Sequence, residues 1–146
     1  MDHCFISGYS GTNGINAAIW MQGGSIASFH DITTANCVYG VLLDTLPSSN
    51  VNTSLWFSGM NMWNMSVAAV LNRGNIDSVS FRDVWAEFTP VFFSGQQLTG
   101  KSLVSSQLLL DNVYLYNSLD SPYKRSQFMR FDALAENTQY TYTHLS

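Results

Sequence analysis

Asn75-Ile76-Asp77-Ser78-Val79-Ser80-Phe81-Arg82-Asp83-Val84 decides the fold. Val79-Ser80-Phe81 alternates apolar and polar residues, and Asn, Asp and Ser bound the run on both sides. That is the pattern of a short half-buried strand between turns. Leu55-Trp56-Phe57 and Val113-Tyr114-Leu115 read the same way. No long window repeats apolar residues at the 3, 4 and 7 spacing of an amphipathic helix.

Phe81 belongs to a series. Phe5, Phe29, Phe57, Phe81 and Leu110 are separated by 24, 28, 24 and 29 residues. Three positions after all but the first lie Ile32, Met60, Val84 and Val113. Two before the later four lie Ala27, Leu55, Val79 and Leu108. Twelve after the first four lie Ala17, Val41, Ala69 and Phe93, and fourteen after the first three lie Ile19, Leu43 and Leu71. Two further columns read as turns: Ser7, Asp31, Gly59, Asp83, Asn112, and Thr12, Asn36, Asn64, Phe88, Asn117. Asn and Asp tolerate the left-handed conformation of a sharp corner and bond neighbouring backbone. Matching phase over about five units means one supersecondary element repeated. A unit of this length with several short strands and no helix is one coil of a parallel β-helix, in which each residue lies above its equivalent one coil on, about 4.8 Å away. A leucine-rich repeat would need a Leu and Asn framework that is absent. The extra residues of the longer units fall at 46–52 and 96–102, as loops between coils.

Composition agrees. Charged residues make up 11% of the 146, well under half the ~25% usual in soluble domains. Ser, Thr and Asn number 19, 10 and 12 in their place. Six Lys+Arg against ten Asp+Glu, a net charge of −4, argue against nucleic-acid binding, which needs clustered cations. The longest apolar runs, 67–71 and 108–110, are far below the ~20 residues of a spanning helix, so no membrane insertion is expected. No basic region followed by an apolar stretch marks a signal peptide. Cys4 and Cys37 read as two buried free thiols, and with the scattered His3, His30 and His144 they offer no metal-ligand spacing, so no metal or cofactor is expected. The Gly-rich stretch 7–14 lacks the Lys of a phosphate loop and reads as a turn. The sequons at Asn52 and Asn64 carry no weight without a signal peptide.

The stretch 75–84 and Leu108-Leu109-Leu110-Asp111-Asn112-Val113-Tyr114 resemble coils of the pectate-lyase-like right-handed β-helix superfamily, over roughly residues 3–120. The low charge, Ser/Asn richness and tyrosine-rich polar end are most similar to bacteriophage tailspikes. The resemblance implies an all-β, right-handed parallel β-helix of about five coils over residues 1–121. Residues 122–146 follow as a C-terminal cap, tail or oligomer contact, because Pro122 stands where the apolar column should continue. It further implies an extracellular or virion-tail location, a homotrimer and cell-surface polysaccharide as partner. The Asp-Asp and His-Gly pairs of polygalacturonases, and the Arg and Asp constellation of pectate lyases, are absent. A β-sandwich is the alternative fold and predicts antiparallel pairing.

With the Phe column inward, its neighbours face out. The column one after reads Ile6, His30, Ser58, Arg82, Asp111. The column four after reads Tyr9, Thr33, Asn61, Trp85, Tyr114. The column six after reads Gly11, Ala35, Trp63, Glu87, Tyr116. Trp63, Trp85, Tyr114 and Tyr116 thus share one surface with Asn61, Arg82, Glu87 and Asp111. Aromatic rings stack on the C–H faces of sugars while carboxylates and Arg bond their hydroxyls, so this stripe is a candidate glycan groove. The same aromatics would also suit packing under loops or against another subunit. Glycoside hydrolysis needs two carboxylates about 5–9.5 Å apart. Glu87 and Asp111 are the leading candidates, with Asp83 behind them in the turn column. Asp111 also has Arg82 as a ladder partner. Asp31 and Asp44, and His30 as a general base, are weaker candidates. The function classes are therefore a polysaccharide depolymerase, a non-catalytic glycan binder, and a structural module of a virion fibre.

Overall fold

A computed structural model describes residues 4–7, 16–23, 25–44, 52–96, 107–117, 126–131 and 139–145, the last of these as backbone. The described residues are β-strands, bends and links, with no helix. The strands are β1 (Cys4–Ser7), β2 (Ala17–Gln22), β3 (Ser25–His30), β4 (Ile32–Ala35), β5 (Tyr39–Asp44), β6 (Asn52–Ser58), β7 (Asn61–Trp63), β8 (Ala68–Asn72), β9 (Ile76–Glu87), β10 (Val91–Gly95), β11 (Gln107–Tyr116), β12 (Gln127–Phe131) and β13 (Gln139–Leu145).

Every pairing among these strands is parallel. Sheet A stacks β1, β4, β7, β9, β11 and β13, with β3 and β6 extending the rungs of β4 and β7. Sheet B stacks β2, β5, β8, β10 and β12. The chain alternates between the two sheets, so the architecture is a parallel β-solenoid, as the repeat predicts, and not a sandwich. About three turns, 25–44, 52–72 and 76–95, run from sheet A to sheet B, with further rungs at either end.

Sheet A is built from a five-residue unit: inward, outward, inward, outward, bend. Left-handed φ values recur at Ile26, Asp31 and Asn36, at Ser54, Gly59 and Asn64, and at Ser78, Asp83 and Phe88. Each bend resets the two-residue alternation of a strand. Ala27 and Phe29 therefore face the core, and so do Ile32 and Thr34 beyond the bend. Asp and Asn fill five of the nine non-glycine bends, including Asn112, because their side chains tolerate this region best. The backbone remains satisfied at the bends. Asp31 and Gly59 donate N–H to the Ser58 and Arg82 carbonyls at 3.1 Å, and Asn64 donates to Glu87 at 2.9 Å. Asn64 Nδ2 donates to Asn36 Oδ1 at 2.8 Å, which makes the Asn column a side-chain ladder as well.

The core is the phenylalanine column. Phe29, Phe57 and Phe81 stack face to face at 4.9 and 4.7 Å, 7° and 8° from parallel, and Phe92 meets Phe81 edge-on at 6.0 Å. Each such pair adds about 0.5–1.5 kcal/mol beyond burial. Leu55, Val79 and Leu108 form a second buried column, and Val84 and Val113 a third.

Four details depart from the sequence reading. Phe5 is not in the core column: its register partner is Thr33, it is 66% exposed, and Cys4 and Ile6 face inward in its place. In sheet B, Val41 pairs with Val70, not Ala69, because one residue is inserted before β8. The N–H groups of Val67 and Ala68 both donate to the Val38 carbonyl, the signature of a β-bulge. Ile19, not Ala17, is the rung above Val41. Finally, stacking continues past residue 121: β12 pairs with β10 and β13 with β11. Met129 pairs with Phe93 and lies nineteen residues after Leu110 rather than twelve.

β8 and β10 are buried at every position and β5 at all but its first, so the middle of sheet B is shielded on both faces, unlike sheet A. A polar corner closes its end. Arg73 Nη2 and Asp44 Oδ2 form a largely buried ion pair at 2.6 Å, and Asn52 Nδ2 donates to the Asp44 carbonyl at 2.7 Å. Asp44 thus serves the scaffold. Cys4 and Cys37 are both free; Cys37 is buried and Cys4 partly so.

Candidate functional site

The outer face of sheet A is the exposed one, and the bend column Asp31, Gly59, Asp83, Asn112 divides it into two panels. The panel after the bend carries the register Phe5, Thr33, Asn61, Trp85, Tyr114 and, two residues on, Ala35, Trp63, Glu87, Tyr116. The column reading thus places Asn61 beside Trp85 and Glu87 between Trp63 and Tyr116. Trp85 packs on Tyr114 at 5.5 Å and 29°, and on Tyr116 at 6.1 Å and 35°. Trp63 meets Phe88 edge-on at 6.4 Å. The result is an aromatic ridge over three rungs, made of two ring clusters.

The panel before the bend is a groove of about 550 Å³. One wall is the ladder His30, Ser58, Arg82, with Asp111 next in the ladder but outside the lining. Within it His30 Nδ1 and Ser58 Oγ hydrogen-bond at 2.5 Å, and Arg82 Nε donates to Asp111 Oδ2 at 3.0 Å. The floor is a parallel ladder two residues earlier, Ser28, Trp56, Ser80, Leu109. Ser78 and Gln107 close the other side. Asp83 sits on the dividing bend, lines the groove and accepts from Asn112 Nδ2 at 2.6 Å.

Register separates the candidate acids. Asp111 lies opposite Arg82, while Glu87 lies opposite Tyr116, five residues farther along the rung. Asp83 lines the groove, Asp111 stands outside the lining opposite Arg82, and Glu87 belongs to the aromatic ridge. Arg82 and Asp111 are well exposed, at 59% and 28% of their side chains, so this ion pair contributes only ~0–1 kcal/mol of stability. Asp31 occupies the exposed bend column. Among the described residues, no three His, Cys, Asp or Glu side chains cluster as metal ligands.

All four tryptophans of the chain are on the surface: Trp20 48% exposed, Trp56 44%, Trp63 46% and Trp85 43%. Tryptophan is highly buried on average, and here phenylalanine and aliphatic residues fill the core instead. The outward columns read from the sequence hold Trp63 and Trp85 but not Trp56. The column just before the phenylalanines contains it, between two serines. No protein-family model, curated protein or solved structure matches the chain.

Proposed function

We propose that this chain is a carbohydrate-binding β-solenoid module that grips a cell-surface polysaccharide across the outer face of sheet A, in the manner of a tailspike at the surface of a virion. The observation that carries the reading is the outward placement of every tryptophan, two of them in one ridge with Tyr114 and Tyr116. Indole and phenol faces accept the C–H faces of pyranose rings. Asn61 and Glu87 stand beside the ridge, and Arg82 across the bend, as donors and acceptors for sugar hydroxyls. A solenoid repeats such contacts at a fixed rung spacing, which suits a polymer of repeating units. Binding is the primary activity in this reading.

The test is electrophoresis of the intact chain through gels cast with individual capsular and O-antigen polysaccharides, with reducing ends assayed in parallel. Retardation by one polysaccharide, abolished in Trp85→Ala/Tyr114→Ala and without new reducing ends, is the expected result. Release of reducing ends that stops with Glu87→Gln, Asp111→Asn or Asp83→Asn would replace binding by depolymerisation. Retardation indifferent to the ridge substitutions, or none with any polymer, would overturn the reading.

A further inference from the structure

In a parallel solenoid each side chain stands on its equivalent one rung away, so an aromatic residue usually spends its faces on the neighbouring rungs. Phe57 has Phe29 and Phe81, and Trp85 has Tyr114. Trp56 has small neighbours instead. Its ladder neighbours are Ser28 and Ser80, and among the described residues no ring packs on it. It is as exposed as the ridge tryptophans, yet it lies on the other side of the bend column, in the groove.

Serine on both sides turns the Trp56 rung into a slot. Ser28 and Ser80 are two rungs apart, about 9.6 Å, and the indole stands between them without a ring against either face. The polar groups around it are mixed in kind. Ser58, Ser80 and Gln107 can donate or accept, Arg82 donates, and Asp83 accepts. Arg82 is already paired with Asp111, so the groove has no surplus of positive charge to favour an anion. A flat apolar face ringed by serine hydroxyls, the Gln107 amide and the oppositely charged Arg82 and Asp83 fits a neutral ring with one C–H face and a hydroxyl rim. The groove volume is within the 300–1,000 Å³ range of small-ligand sites.

We infer that Trp56 is the platform of a second pyranose-binding site, separate from the aromatic ridge, that takes an uncharged sugar ring in the slot over Ser80. The inference rests on the carbohydrate reading of the ridge only for the class of ligand; the site itself stands on the groove and on Trp56. Two sites on one rung face would let a single glycan chain cross the bend column, or let two chains bind side by side.

The four tryptophans give four indole N–H reporters in the uniformly ¹⁵N-labelled chain, each assigned by its Trp→Phe variant. Titration with methyl α-D-glucopyranoside into the hundreds of millimolar reads each site separately, and Trp20 on sheet B is the internal control for nonspecific effects. A saturating shift of the Trp56 resonance is expected. In Ser80→Trp, which fills the slot with a ring, its apparent affinity should fall at least about tenfold, corresponding to ~1.4 kcal/mol, while Trp63 and Trp85 respond as before. A Trp56 shift that is linear and matches Trp20 overturns the second site, even if Trp85 saturates. Saturation at Trp56 with none at Trp63 or Trp85 keeps the second site and removes the ridge. An unchanged Trp56 isotherm in Ser80→Trp also overturns the inference, and circular dichroism confirms that this surface variant retains the sheet signal.

Discussion

Replacing Phe57 by alanine removes the middle ring of the core stack. Phe57 has no solvent exposure and touches rings on both sides, at 4.9 and 4.7 Å. Burial and cavity terms for Phe→Ala amount to about 3–5 kcal/mol. The rings of Phe29 and Phe81 would both be left without a stacking partner on that side, so the cost falls at the upper end, about 4–5 kcal/mol. Phe29 has one ring partner and is partly exposed, so Phe29→Ala should cost about 2–3 kcal/mol. Phe5, 66% exposed and outside the column, should change stability by less than about 0.5 kcal/mol. Urea unfolding followed by circular dichroism measures all three. With m near ~2 kcal/mol/M, Phe57→Ala lowers the midpoint by about 2 M and Phe29→Ala by about 1 M, leaving Phe5→Ala unshifted. The sequence repeat alone puts the three residues in one column and predicts similar losses. Equal costs for Phe5→Ala and Phe57→Ala would refute the register of the first coil.

Ile26 is β-branched, sits at φ 56° and is 78% exposed, so Ile26→Gly should relieve backbone strain and raise stability by about 1 kcal/mol in the same assay. Gly59→Ala should do the reverse and cost at least ~1 kcal/mol, since its φ is 62° and the new Cβ would lie 2.6 Å from Asp31 Oδ1. Thr34 Oγ1 is buried with no partner among the described residues, so Thr34→Val should stabilise the fold by about 1 kcal/mol. The ion pairs should diverge: Asp44→Ala leaves Arg73 largely buried and costs ~3–5 kcal/mol, while Asp111→Asn costs at most ~1 kcal/mol. The resemblance to tailspikes implies a homotrimer, for which light scattering over a range of concentrations should give three times the 16.3 kDa chain mass, and a single chain mass would remove that expectation.

The fold is legible in the sequence because equivalent residues of a solenoid must satisfy the same environment. From Phe29 onward the columns through Phe57, Val84 and Asn64 survive in the structure. The first coil is ambiguous because Cys4-Phe5-Ile6 alternates in either phase. What sets the phase is the inward side of Ile32 and Thr34 beneath it, a tertiary fact. The one-residue displacement of β8 is not legible because Ala68–Leu71 is buried on both faces, and a strand without alternation has no phase to read. The bend every five residues is masked in the sequence by Ile26, Ser54 and Phe88, which are not turn-forming in the way Asn and Asp are. On the surface, Trp63, Trp85, Tyr114 and Tyr116 stand out as outward columns, whereas the groove depends on pairing Trp56 with two small neighbours. That contrast appears only when the ladder is laid out rung by rung.

Every functional statement depends on in-register parallel stacking, and a cross-link tests that directly. Ser80 and Leu109 are register partners on the outer face. In parallel rungs their Cα atoms are about 4.8 Å apart, inside the roughly 4.4–6.8 Å range of disulfides. Asp111 is two residues farther along, at a diagonal of about 8 Å, outside that range. With Cys4 and Cys37 changed to Ser and Ala, the Ser80→Cys/Leu109→Cys variant should oxidise to an intramolecular disulfide without loss of the sheet signal, and Ser80→Cys/Asp111→Cys should not. The opposite preference, or no disulfide in either variant, would contradict the ladder and with it the placement of every tryptophan.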